Sequence, residues 1–234
     1  PSSVMSSIES ARNNARLVRT ALTREVWEAV NESWMTLKDA LRRPVRMAEL
    51  PDILALIRQQ SALTRGALHG TMLRNDIFDF SRIGTFLERA DNTARILDVK
   101  YYVLLPSVSQ IGSSLDNVQW ETILRSVAAH TSYRWLNGPD VSARGIAEFL
   151  ITDGRMPRSL AFCLSKLTGN LSYLQRVYDQ KYECVDMAEA LYHRASETPV
   201  EAIFETGLHE FLTDFLGANA ALGSQVEKDF RFYG

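Results

Sequence analysis

Cysteine is scarce in this sequence. Only Cys163 and Cys184 occur among 234 residues. Cys163 shares a helical stripe with Leu160, Leu164 and Leu167, which predicts a reduced thiol in an apolar core rather than a disulfide. A cytoplasmic location is therefore expected.

Long apolar runs and strong charge of either sign are also missing. No run of 18 apolar residues occurs, so no membrane span is predicted. The opening residues, PSSVMSSIES, have neither the basic nor the apolar region of a signal peptide. The net charge is −2, and no basic patch is concentrated in the sequence, which argues against nucleic acid as a main partner.

The usual catalytic signatures are absent as well. There is no Gly-rich phosphate loop, no Cys-x-x-Cys, no His-Glu-x-x-His and no Gly-x-Ser-x-Gly. None of the four histidines follows a glutamate by three residues, the spacing that helical di-iron proteins use. No metal or cofactor is expected, with a site built from helix-borne carboxylates as the less favoured alternative. Whether the chain is an enzyme stays open, and the pattern favours a non-enzyme.

Helical periodicity is what the sequence does contain. Apolar residues recur at helical spacing almost everywhere, and the seven prolines fall at predicted helix boundaries. These patterns predict an all-α, multi-helix bundle of about nine helices in a single domain, residues 1–234. The predicted helices cover roughly 3–20, 23–43, 52–72, 76–103, 117–136, 142–151, 158–178, 183–196 and 199–230.

A partial internal repeat links two helix starts. Pro1-Ser2-Ser3-Val4 matches Pro157-Arg158-Ser159-Leu160 at an offset of 156 residues, and the apolar positions that follow match in kind. Chance similarity between two capped amphipathic helices is an equally good explanation. If the repeat is real, the helix at 76–103 has a counterpart upstream of Pro1, and the chain is N-terminally truncated.

The helix at 76–103 carries charges that are sorted by face. Gly84, Glu88, Asn92 and Arg95 form one stripe beside an apolar face. We expect Glu88 and Arg95 to belong to a partly buried network between helices; ordinary solvated faces are the alternative. Similar polar insertions elsewhere add Arg12, Arg16, Trp27, Glu28, Asn31, Arg74, Asp76, His209, Glu210 and Asp214 to the candidate residues.

Several segments resemble the bacterial alpha-E domain family, and together they span essentially the whole chain. They are ARNNARLVR (11–19), WEAVN (27–31), TMLRND (71–76), FLERADNTARILDVKYY (86–102), EFLITDGRMPRSL (148–160) and GLHEFLTDFL (207–216). The resemblance implies an all-helical fold with a repeated unit and no established activity. Members usually begin with a segment similar to the 76–103 helix, which this chain lacks.

Members of the family resemble accessory components that act beside ATP-grasp peptide or amide ligases and transglutaminase-like peptidases. The resemblance thus implies a non-catalytic binding module, with one of those proteins as partner. The alternative is an enzyme or ligand-binding subunit that uses a carboxylate and arginine pocket for a peptide or carboxylate. Family motifs are matched at Trp27, Glu28, Asn31, Arg74, Asp76, Glu88, Arg89, Asn92, Arg95, Asp98, His209, Glu210 and Asp214.

The repeat generates a prediction about association. If no helix covers the apolar stripe of the first helix, that stripe is exposed, and such surfaces tend to become buried by association. We expect the chain to self-associate through the stripe Val4, Ile8, Ala11, Ala15 and Val18. Light scattering at high concentration tests this, and a strictly monomeric species would contradict it.

Overall fold

The computed structural model describes residues 3–102, 114–139 and 141–232, and these residues fold as α-helices with two short 3-10 helices and no strand. The all-α prediction is confirmed. The α-helices are α1 Val4–Leu17, α2 Arg24–Ala40, α3 Leu50–Thr71, α4 Asp76–Tyr102, α5 Ser114–Ser126, α6 His130–Asn137, α7 Ala143–Ile151, α8 Leu160–Val177, α9 Glu183–Glu197, α10 Val200–Thr206 and α11 Leu208–Asp229.

Two predicted helices are each divided in the structure, so the described residues contain eleven α-helices rather than nine. The helix predicted at 117–136 breaks at Ala128, whose φ is 54°. The helix predicted at 199–230 breaks at Gly207, whose φ is 109°. A Cβ at position 207 would lie 1.9 Å from the Glu210 carboxylate, so that side chain would have to move, and the positive φ itself disfavours any residue but glycine.

Three helices end in the same hydrogen-bonded motif without the glycine that usually accompanies it. After α5, Ala128 is left-handed and the Ala129 N–H donates to the Leu124 carbonyl. Asp179 after α8 and Arg231 after α11 are left-handed in the same way. This is the Schellman arrangement, and a non-glycine residue at its left-handed position costs about 1 kcal/mol or more.

The chain divides into two compact units, 1–78 and 79–234. In unit 1, α2 packs against both α1 and α3. The interior of unit 1 is small: among the residues that the structure describes, seven buried hydrophobic residues lie in unit 1 and 38 in unit 2. The prediction of a single domain stays a prediction.

Unit 2 holds the main core. In it α9 packs against both α8 and α11, as α2 does against its neighbours in unit 1. The apolar face of α4 is fully buried at Ala90, Ala94 and Leu97. Asn219 of α11 donates a hydrogen bond to the Leu87 carbonyl of α4, so α4 and α11 are in direct contact.

The repeated helix starts share a capping geometry. The Ser3 side chain accepts a hydrogen bond from the Ser6 N–H, and Ser159, exactly 156 residues later, accepts one from the Phe162 N–H. Both serines are therefore N-caps, which satisfy otherwise free backbone donors.

The burial of these two repeated helices differs. Ala15 is the one buried residue of α1, whereas α8 buries seven. Val4 is 43% exposed and Val18 is 50% exposed. Self-association through α1 stays a prediction, and these exposed side chains favour it.

None of the described helices combines the length and the apolar character that a membrane span needs.

Because Ala128 is left-handed, an alanine-to-glycine substitution should stabilise the fold there and destabilise it at an ordinary helical position. Ala128→Gly should raise the free energy of unfolding by about 0.5–1 kcal/mol, because glycine adopts positive φ without steric cost. The control is Ala220→Gly on the exposed surface of α11, where the same substitution should lower it by about 1 kcal/mol. Urea denaturation measures both, and destabilisation of equal size at both positions would contradict the assignment.

Candidate functional site

The candidate residues of unit 1 form local pairs around two tryptophans. The Arg12 Nε donates to the Asn31 Oδ1 at 2.8 Å, and the Arg12 guanidinium lies 4.2 Å from the ring centre of Trp34. Glu28 pairs with Arg24 of its own helix at 2.6 Å and is largely exposed. The Arg12 contacts connect α1 to α2, whereas the Glu28–Arg24 pair lies within α2.

Two further candidates, Arg16 of α1 and Trp27 of α2, also lie on these helices. Trp27 is half-buried, and the Arg19 guanidinium lies over its ring at 5.2 Å. Arg16 is exposed.

Arg74 and Asp76 organise the turn before α4. The Arg74 guanidinium donates to the carbonyls of His69 and Met72 and lies 4.0 Å from the ring centre of Phe78. The Asp76 Oδ1 accepts the N–H of Ile77 at 2.9 Å. Arg74 thus closes the turn with its side chain, and Asp76 accepts a backbone N–H at the start of α4.

Glu88 and Arg89, adjacent on α4, have different environments. Glu88 is exposed. The Arg89 Nη1 donates to the Pro157 carbonyl at 3.2 Å, and its guanidinium lies 5.4 Å from the ring centre of Phe86. Arg89 therefore connects α4 to the loop that precedes α8.

The loop before α8 is held by its own polar contacts. Asp153 binds the Arg155 side chain through both carboxylate oxygens, and this contact lowers the pKa of Asp153. The Ser159 hydroxyl donates to the Asp153 carbonyl at 2.6 Å. These bonds define the position of the Pro157 carbonyl that Arg89 contacts.

Cys163 lies beneath this region and is fully buried. Burial raises the pKa of its thiol to about 12, although the positive charges of Arg89 and Arg158 act to lower it. Burial also raises the pKa of the Cys184 thiol well above its usual range. Neither thiol is an activated nucleophile, because the thiolate is the reactive form.

The prediction that Glu88 and Arg95 belong to a network between helices is wrong. Arg95 makes a two-bond contact with Asp91, one turn earlier on α4, and its side chain is 64% exposed. Because the pair lies within one helix at the surface, neither charge is held inside the protein. Asn92, on the same stripe, is half-buried.

Asp98 and His209 make the interhelical contact that the stripe pattern did not single out. The His209 Nδ1 and the Asp98 Oδ1 are 2.6 Å apart and join α11 to α4. This hydrogen bond raises the pKa of His209 above its usual 6.5, and the nearby Glu210 carboxylate adds to the effect. On the exposed side of α11, Asp214 accepts from Arg194 of α9 at 3.3 Å.

The candidates thus lie in separate places within each unit rather than around one cavity. Within unit 2, the Arg89–Pro157 and Asp98–His209 contacts are nine residues apart along α4, about 13 Å by helical rise. The arrangement can hold helices together and present charge to solvent.

A model of the Alpha-E family, described as a predicted alpha-helical domain with a conserved ER motif, matches residues 1–230. The chain belongs to the Alpha-E family. Comparison with curated proteins and with solved structures finds no match. Glu-Arg occurs once in the sequence, at Glu88–Arg89, so the motif named for Alpha-E corresponds to the residues at the α4–α8 contact.

A buried ion pair of this Alpha-E chain was missed by sequence reasoning. Lys100 of α4 and Asp116 of α5 are 2.5 Å apart, with side chains only 4% and 9% exposed. Gln119 also accepts a hydrogen bond from Lys100. The available signal was position: Lys100 falls on the helical stripe of Thr93 and Leu97, both fully buried.

The Asp98–His209 contact predicts a pH dependence. The pKa of His209 is higher in the folded chain than in the unfolded one. The contact therefore stabilises the folded state fully below the ordinary pKa of His209, and this stabilisation is lost as the pH rises through the raised pKa. Between about pH 5.5 and about pH 8.5, the urea midpoint of the wild type should fall relative to that of His209→Gln. If the urea midpoints of the two proteins change in parallel with pH, the predicted stabilisation by the Asp98–His209 contact is contradicted. The NMR-measured pKa of His209 should return towards 6.5 in Asp98→Asn.

The buried ion pair predicts a large effect of removing one partner. Lys100→Met should lower the free energy of unfolding by about 3–5 kcal/mol, because the Asp116 carboxylate loses its lysine counter-charge in a buried setting. The double variant Lys100→Met, Asp116→Leu should recover most of that loss, since no buried charge is left. Denaturant titration of both variants decides the matter, and a fully additive double variant would argue against coupling.

Proposed function

We propose that this Alpha-E chain is a non-catalytic helical module that binds a protein partner through the surface around Glu88 and Arg89. The proposed partner is an ATP-grasp-type ligase or a transglutaminase-like protein, and the proposed compartment is the cytoplasm. In this role the chain contributes a rigid surface to peptide or amide-bond chemistry that its partner carries out.

The position of the family motif carries this proposal. Arg89 is fixed on the Pro157 carbonyl, while Glu88 beside it is directed to solvent. A carboxylate exposed on a rigid, well-packed helix is a suitable recognition element, because little conformational freedom is lost when a partner binds.

The environment of the reactive side chains supports a binding role over chemistry. Burial raises the pKa of both cysteines, and Cys163 reaches about 12. Across 3–102, 114–139 and 141–232, no group of three or more His, Cys, Asp or Glu is arranged to hold a metal. The acidic and basic candidates are joined mostly in local pairs, which is typical of structural roles.

Direct binding tests the proposal. The purified chain is titrated calorimetrically with the ATP-grasp protein and with the transglutaminase-like protein of its native host. Glu88→Lys should weaken binding of the true partner by at least about tenfold, since it reverses the charge at the contact. Glu189→Lys, at an exposed site on α9, is the matched control and should bind like the wild type.

Two results would contradict the proposal. One is that neither protein binds the wild type. The other is that the chain alone, given ATP and a peptide, forms an amide bond. The second result would support the alternative of an enzyme with a carboxylate and arginine pocket.

A further inference from the structure

A cavity of about 450 Å³ lies beside the end of α11, within unit 2. Among the residues that the structure describes, five aromatic side chains line it: Phe80, Tyr178, Tyr182, Phe230 and Phe232. The charged residues in that described lining are Asp229 and Arg231. Neither Glu88 nor Arg89 belongs to it, so the cavity is not part of the surface already proposed for partner binding.

The aromatic residues form one packed wall of the cavity. The Phe80 ring meets those of Phe230 and Phe232 edge to face, with ring centres 5.0 Å and 5.1 Å away. The Tyr182 ring centre lies 4.4 Å from that of Phe230. Phe232 is 54% exposed, so its ring is accessible to a ligand. The wall therefore presents a fixed apolar surface against which an apolar group can pack.

The Asp229 carboxylate is held in place and keeps the capacity to bind. Its Oδ2 accepts the Cys184 N–H at 2.8 Å, at the first turn of α9, and its Oδ1 accepts from the Gln225 amide at 2.9 Å. Each carboxylate oxygen can accept a further hydrogen bond. Asp229 is half-buried, and no cation among the described residues pairs with it. An ammonium group on a ligand would supply the missing counter-charge.

A second carboxylate adds to the negative charge near Asp229. The Gln225 amide also donates to the Glu183 Oε2 at 3.1 Å, so one amide connects the two carboxylates. Glu183 likewise forms no ion pair with the described residues. The local charge on this side of the cavity therefore favours a cation.

Arg231 supplies the opposite charge. Its side chain is exposed and makes no ion pair or hydrogen bond with the described residues. Arg231 is only two residues from Asp229, yet the two charges line the same cavity without pairing. A guanidinium has a fixed fork of N–H donors that matches a carboxylate.

Two unpaired charges of opposite sign and an apolar wall define the kind of ligand. A free α-amino acid with a large apolar side chain carries an ammonium, a carboxylate and an apolar group on a single carbon. An amine alone would be repelled by Arg231, and a carboxylate alone would be repelled by Asp229. The cavity has room for such a molecule, because ligand pockets typically measure about 300–1,000 Å³.

We propose that this cavity binds a free amino acid with a large apolar side chain, in its zwitterionic form. The ammonium binds Asp229, the carboxylate binds Arg231, and the side chain packs against the aromatic wall. The inference goes beyond the proposed partner binding and uses neither of the motif residues. Sequence analysis did not single out Asp229 or Arg231, because their position beside Phe80 depends on how α11 packs against α4.

Ligand-observed NMR titration with small molecules tests the charge pattern. L-Phenylalanine carries both charges, phenethylamine lacks the carboxylate, and 3-phenylpropionate lacks the ammonium. The wild type should bind L-phenylalanine at least about tenfold more tightly than either of the other two. Free glycine keeps both charges without the apolar group and should also bind at least about tenfold more weakly than L-phenylalanine.

Two variants locate the charges through a crossed pattern. Asp229→Asn should weaken L-phenylalanine binding at least about tenfold but should not weaken binding of 3-phenylpropionate, which has no ammonium. Arg231→Gln should weaken L-phenylalanine binding at least about tenfold but should not weaken binding of phenethylamine. The controls Glu227→Gln and Arg134→Gln lie at exposed positions outside the described lining and should change the affinity less than about twofold. Circular dichroism and thermal melts confirm that each variant is folded.

Several outcomes would overturn the proposal. They are no binding of L-phenylalanine to the wild type at millimolar concentration, equal binding of phenethylamine or 3-phenylpropionate, and equal loss in the control variants. An equal loss for all three ligands in both Asp229→Asn and Arg231→Gln would show a structural effect and would also overturn it. If Asp229→Asn does not fold, Arg231→Gln decides the matter, because its side chain is exposed. Loss of partner binding in Glu88→Lys bears on the proposed function alone.

Discussion

Ala90, Ala94 and Leu97 are fully buried, and their burial fixes the rotation of α4 about its own axis. Small side chains at two of these positions let neighbouring helices approach α4 closely. Once the rotation is fixed, every other side chain of α4 has a set direction. Arg89 is directed to the loop before α8, Asp98 to α11, and Glu88 to solvent. The candidate site is therefore a consequence of how one helix packs.

Much of the fold could be predicted from the sequence, because helical periodicity and proline placement are local signals. The rotation of α4 was predictable for the same reason. The break at Ala128 was not, since alanine is the best helix former and only the Schellman bonds reveal a left-handed residue there. The break at Gly207 is a backbone with a φ of 109°, and a glycine inside an apolar helical pattern does not by itself predict one.

The candidate site was harder to predict than the fold. A helical wheel identifies which residues share a face, but not which partner each one reaches. Arg95 binds Asp91 on its own helix, and the Glu88 side chain is exposed to solvent. Contacts such as Asp98–His209 join residues 111 positions apart, so they require the tertiary arrangement. The family model adds what a single sequence lacks, namely that the Glu-Arg pair is retained across relatives.

The small interior of unit 1 has a consequence for its dynamics. Opening of a helix costs less free energy when few apolar contacts are broken. Gln60 is the one buried residue of α3, whereas α8 buries seven residues, all of them leucine, alanine or cysteine. Backbone amides in the middle of α3 should therefore exchange their hydrogens with solvent through local opening, whereas those of α8 should wait for nearly global unfolding. A protease would make its first cuts in the α1–α3 segment for the same reason.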